Sequence, residues 1–122
     1  MGGEKVTDTV PIGSSGRLSV VSTHADGILV LSLAGEIDHD TGPILRQALS
    51  DADPRIVVDL SQVTFMDSTG INILIAAHHA LAQAGGWLRL AAPTRTVLRT
   101  LQIVGVDAVI DCRDTLRQAL SI

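Results

Sequence analysis

The chain has 122 residues, of which 46% are hydrophobic and 18% charged; this suits one globular domain and excludes a chain that is disordered as a whole. Its net charge is −4, and its aromatics are limited to Trp87 and Phe65 with no Tyr, so the basic face and stacking platforms of a nucleic-acid binder are missing. Lys5 is the lone lysine and Cys112 the lone cysteine, which excludes a P-loop or Schiff-base lysine in the domain, an intramolecular disulfide and a multi-cysteine zinc site.

Residues 1–16 mix Gly, Ser, Thr and charge and read as a flexible N-terminal tail, with Gly13-Ser14-Ser15-Gly16 resembling a linker. The ordered domain is expected over 17–122. No long apolar segment opens the chain, so no signal peptide is read, and the single cysteine fits a cytoplasmic protein. Leu18 to Thr23 predicts a strand, Ala25-Asp26-Gly27 a turn, and Ile28 to Leu33 a second strand. Asp-Gly between two β-rich runs predicts a hairpin.

Beyond Gly35-Glu36-Ile37-Asp38, Thr41 is placed to cap a helix entered through Gly42-Pro43 and carrying Ile44, Leu45, Ala48 and Leu49. Asp51 to Pro54 ends it. Ile56-Val57-Val58-Asp59-Leu60 is apolar almost throughout and predicts a central parallel strand buried on both faces. A second helix runs from Asp67 to about Ala84, stopped by Gly85-Gly86. Its apolar run is broken by Asn72 and His78-His79, too early for a membrane span.

Trp87 to Ala91 is the next strand, and Pro93-Thr94 opens a third helix with Val97, Leu98, Leu101 and Val104, closed by Gly105. A short strand at Ala108 to Ile110 and a last helix over about 114–120 complete the reading. The class is α/β: a mixed, mostly parallel sheet entered by an antiparallel hairpin, with about four helices packed on it.

The turn Phe65-Met66-Asp67-Ser68-Thr69-Gly70 carries the chemistry. With Asp67 as N-cap, its carboxylate accepts from the amide of Thr69 or Gly70, and Met66 and Ile71 take the N′ and N4 positions of a hydrophobic staple. A cap at Ser68 instead would call for Glu or Gln where Ile71 stands. Ser68 then lies in the first turn with its hydroxyl unspent, where unpaired amides favour an added phosphate. On the helical wheel Ile73, Leu74, Ala77, Leu81 and Ala84 point to the sheet, whereas Ser68, Asn72, Ile75 and His79 share another stripe. An apolar Ile75 among polar neighbours reads as docking surface or as packing under a loop.

Asp67-Ser68-Thr69-Gly70 after the apolar strand ending in Asp59-Leu60 resembles the STAS domain, in particular the bacterial anti-sigma-factor antagonists. Gly35-Glu36-Ile37-Asp38 with Thr41-Gly42-Pro43 is similar to that family's earlier segment, and Pro93 to Leu101 with Gly105-Val106-Asp107 to its later helix and turn. The resemblance spans roughly residues 17–120. It implies a protein-binding switch and not an enzyme: the unphosphorylated domain binds a kinase-type anti-sigma factor of the histidine-kinase-like ATPase fold and so releases a sigma factor. That kinase phosphorylates the serine after the Asp, Ser68 here, with Thr69 the second choice, and a metal-dependent serine phosphatase reverses it.

The partner-binding face is expected to comprise Glu36, Asp38, Asp67, Ser68, Thr69 and Gly70 of the matching segments, with Gly70 permitting close approach of the partner backbone, extended along the helical stripe by Asn72, Ile75 and His79. No cofactor, metal, nucleic acid or membrane is implied, and the domain is expected as a monomer or weak dimer. Thr69 and Asn72 depart from a frequent Ser and Gly at those places, which bears on partner identity. The alternative is a stand-alone STAS domain serving as a ligand sensor, scaffold or transport-complex subunit. A serine-nucleophile enzyme lacks the Gly-x-Ser-x-Gly elbow and a placed histidine base. Asp38-His39-Asp40 reads as a solvated turn, not a metal site. Adjacent His78 and His79 diverge on a helix, His78 partly packed and His79 exposed, and Cys112 reads as a small packed residue.

Overall fold

The computed structural model describes residues 10–14, 16–50 and 53–121, side chains excepted at 10, 12 and 14. Among the described residues, six strands form one sheet in sequence order: β1 (Val10–Ser14), β2 (Leu18–Ala25), β3 (Ile28–Ile37), β4 (Arg55–Met66), β5 (Trp87–Ala91) and β6 (Asp111–Arg113). The pairings β1–β2 and β2–β3 are antiparallel, and β3–β4, β4–β5 and β5–β6 are parallel. Four α-helices among the described residues connect and cover it: α1 (Gly42–Leu49), α2 (Ser68–Gln83), α3 (Arg95–Ile103) and α4 (Leu116–Leu120). The expected α/β class and the antiparallel entry into a parallel sheet are therefore observed.

Period-two alternation divides the core. Leu29, Leu31 and Leu33 of β3 face the same way as Ile56, Val58 and Leu60 of β4, and join Leu45 of α1, Leu74 of α2 and Val97 and Leu101 of α3 in the main cluster. On the other face, Val30, Val57 and Ala91 lie under Leu116, Ala119 and Leu120 of α4. Ile56, Val57, Val58 and Leu60 are fully buried, as a strand covered on both faces requires. Each such side chain contributes about 1.5–3 kcal/mol by leaving water.

The hairpin turn is made by Asp26 and Gly27, whose φ of 55° and 79° are both left-handed. Two successive left-handed residues match the right-handed twist of the flanking strands. Arg89 fastens α4: its Nη1 donates to the carbonyls of Ala119 at 2.9 Å and Ser121 at 2.6 Å, while its guanidinium stacks 4.0 Å above the Trp87 ring.

Four expectations are corrected. Residues 10–14 fall within the expected tail but form β1, which pairs the open edge of β2 and seats Gly13 against Ile44 of α1; residues 1–9 lie outside the described residues. Ala108–Ile110 is not a strand: Gly105 is left-handed, and a 3-10 turn over Val106–Ala108 buries Val106 and Ile110 before β6 begins at Asp111. Thr41 occupies the N-cap of α1, but its hydroxyl makes no cap bond. Ala84 is exposed at the end of α2, not turned to the sheet.

Candidate functional site

The parallel strands β3 and β4 end side by side, Ile37 opposite Met66, and α1 and α2 start from those ends. Outside the carboxyl ends of parallel strands is where α/β sheets ordinarily place their sites. The amide of Asp67 donates to the carbonyl of Ile37 at 3.1 Å, joining the loop before α1 to the turn before α2. The two helix starts also touch. A Cβ on Gly42 would come within 3.0 Å of Thr69 Cγ2 and of Ile73 Cδ1.

Asp67 has extended backbone and caps α2, its Oδ1 accepting from the Thr69 amide at 2.9 Å. This is the expected cap, and Met66 and Ile71 on either side of it are both buried in the main cluster. Ser68 is exposed, and its hydroxyl makes no hydrogen bond among the described residues. Thr69 is half-buried beside α1.

Gly70 is buried. A Cβ there would meet Met66 Cγ at 2.7 Å and Ile37 Cγ2 at 2.8 Å, so its small size serves contact between α2 and the sheet, not the approach of a partner backbone. Along α2, Asn72 and His79 are exposed, whereas Ile75 is half-buried and packs on the main cluster. The packing alternative therefore holds for part of the Ile75 side chain. His78 is partly buried, with Nδ1 enclosed and unpartnered among the described residues, and its ring sits 5.4 Å from that of His79.

The neighbouring loop is built around Asp38. Its Oδ1 accepts from the amides of Asp40 at 2.9 Å and Thr41 at 3.1 Å. The fully buried Thr41 hydroxyl donates to the Glu36 carbonyl at 2.9 Å and accepts from the Asp38 amide at 2.9 Å. Closing this loop uses the hydroxyl that was expected to cap α1. Arg17, just before β2, reaches across to pair with Glu36, Asp38 and Asp40.

The Arg17 hydrogen bond is the largest influence on the Asp38 carboxyl and brings its pKa down from 3.8 to about 2, helped by the Thr41 and Asp40 amides. Asp38 and Asp40 thus answer one guanidinium, in keeping with an ionic turn. On β6, burial is the chief cause that pushes the Cys112 thiol up, with the carboxylates of Asp107, Asp114 and Asp111 adding to it.

Two residues of this face escape sequence reasoning. Arg17 is separated from its carboxylates by 19 to 23 positions, and no local pattern links them. Phe65 is 45% exposed and pairs across the sheet with Glu36. The available signal was its place immediately before buried Met66, which by alternation turns an aromatic ring outward. The chemical result is one contiguous end of the molecule: an exposed hydroxyl at a helix mouth, an apolar ring beside it and an ordered acidic loop.

Residues 19–119 match the family model of the STAS domain. The chain is 34% identical over 111 residues to the anti-sigma-F factor antagonist RsfB of Mycobacterium tuberculosis, with 84% of this chain and 88% of RsfB covered. An anti-sigma factor antagonist from Mycobacterium paratuberculosis has a similar crystal structure, with TM-score 0.79 and 32% identity over 88% of this chain and 95% of that one. The anti-sigma factor antagonist SpoIIAA in its unphosphorylated form is also similar, with TM-score 0.66 and 26% identity over 76% of this chain and 84% of that one.

Proposed function

The chain belongs to the STAS domain family, and on that premise we propose that it is an anti-sigma-factor antagonist whose binding is switched off by phosphorylation of Ser68. The unphosphorylated face, Ser68 with Asp67, Thr69, Asn72, His79, the outer part of Ile75, and Glu36 and Asp38 of the adjoining loop, receives an anti-sigma factor and so frees a sigma factor. Phe65 adds apolar contact beside them. The partner is a serine kinase of the histidine-kinase-like ATPase fold and carries the ATP and divalent ion; a metal-dependent phosphatase restores the bare hydroxyl. The domain acts in the cytoplasm, as a monomer or weak dimer, and catalyses nothing itself.

One observation carries this reading: Asp67 performs the capping, so the Ser68 hydroxyl is exposed and uncommitted in the first turn of α2. A phosphate added there meets helix amides, and it brings a charge of about −1.5 to −2 onto the docking face. Host stability changes little while the partner meets a new dianion. On this reading the same hydroxyl accepts a phosphoryl group from the partner and does not act as a nucleophile on a substrate of its own. His78 and His79 stand about 15 Å further along the helix axis.

The test is phosphosite mapping by mass spectrometry after incubation with a candidate kinase-type anti-sigma factor and Mg-ATP. Phosphate on Ser68, absent from Ser68→Ala, is the expected result. Phosphate confined to Thr69 or elsewhere, or a kinase that neither binds nor modifies the chain, rejects it.

A further inference from the structure

A second feature lies between the helices. α1 and α2 are in tight contact where they start, but the α1-facing side of α2 then becomes alanine at Ala76, Ala77 and Ala80. Short side chains leave the helix surfaces apart. Two adjoining cavities of about 310 and 400 Å³ result, both lined by Leu49, Ser50 and Ala77. They match the lower part of the size range of small-molecule sites, about 300–1,000 Å³.

The walls are mostly apolar; Ser50, where the two cavities meet, donates its hydroxyl to the Gln47 carbonyl at 2.7 Å, and the charged groups stand at the ends. At the end toward Ser68, Arg46 and Asn72 flank the groove, and neither side chain has an ion-pair or hydrogen-bond partner among the described residues. At the opposite end stands Asp53, which pairs with His24 at 3.2 Å. This distribution sets both the charge and the direction of an occupant. A guanidinium with an adjacent amide suits a carboxylate, and Asp53 repels one at the far end. The alanine-lined length between them suits an unbranched apolar chain.

We infer that the α1–α2 groove binds a free linear carboxylate of medium chain length, its headgroup on Arg46 and Asn72 and its tail running along Ala77 toward Ala80. The site uses neither Ser68 nor its hydroxyl, and it shares only Asn72 with the face proposed above for the anti-sigma factor.

Sodium octanoate, titrated into the full chain and followed by amide and methyl chemical shifts, tests this, with octylamine and octanol as headgroup controls. Saturable shifts confined to Arg46, Leu49, Asn72, Ala76 and Ala77 are expected for octanoate, with octylamine inactive. Arg46→Gln should weaken octanoate about tenfold, the loss of one charge-assisted contact, and leave octanol unchanged. Ala76 is exposed, so Ala76→Leu should fill the groove and abolish octanoate binding while the melting temperature holds. Non-saturating shifts, shifts spread over other faces, or equal binding of octylamine and octanoate would overturn the assignment. So would undiminished octanoate binding by a folded Ala76→Leu protein.

Discussion

The Thr41 hydroxyl closes a ring with Asp38, accepting its amide proton at 2.9 Å while donating to the carbonyl of Glu36 at 2.9 Å. Thr41 is fully buried, so both groups lose their partner if the hydroxyl is removed. Thr41→Val should cost about 1–3 kcal/mol in denaturant unfolding, the penalty for stranding a buried polar group. Amide exchange at Asp38 should accelerate with it. Unchanged stability and exchange would show that the loop is held by other means.

Ser68→Asp should weaken capture of the anti-sigma factor and leave the unfolding free energy within about 0.5 kcal/mol of the parent, as exposed sites usually do. Ser68→Ala should retain capture and lose phosphate incorporation. Pull-down and thermal melts on the three proteins separate these effects. A large drop in melting temperature for Ser68→Asp would mark the side chain as structural.

At Gly70 a single methyl group would fall 2.7 Å from Met66 Cγ and 2.8 Å from Ile37 Cγ2. Gly70→Ala gains helix propensity, but overpacking of this kind costs about 1–3 kcal/mol and should prevail. The denaturation midpoint should fall with an unchanged slope. A rise would mean that Met66 and Ile37 yield freely.

Asp38 gives the acid response a defined window. Its carboxyl titrates at about 2 in the folded chain, against 3.8 for the ordinary group, chiefly through Arg17. A depressed folded pKa stabilises the fold above the unfolded value, and the contribution disappears as pH drops from about 4 toward 2. Carboxyl ¹³C titration should locate the Asp38 midpoint near the lower figure and move it up in Arg17→Gln. An ordinary midpoint in the parent would remove the clamp.

Features encoded within a few residues were readable before the fold was known. Asp26-Gly27 specified its hairpin, the apolar run at 56–60 its central strand, and Asp67 its cap two residues from the amide it receives. Those set by tertiary context were not. Arg17 meets its carboxylates through the pairing of β2 with β3. β1 forms because the edge of β2 is open to it. Thr41 had two possible uses for one hydroxyl, and loop closure prevailed over the cap. Ala108–Ile110 carried strand-like residues, yet the burial of Val106 and Ile110 favoured a tight turn.

The two sides of α2 carry separate physical demands. Gly70, Ile71 and Leu74 are locked into the interior, and Asn72 and His79 carry little of its packing. Substitutions at 72 and 79 should therefore leave the unfolding free energy nearly unchanged, while changes at the inward positions should lower it. The outward side can thus be redesigned by point substitution without rebuilding the interior that holds the helix in place.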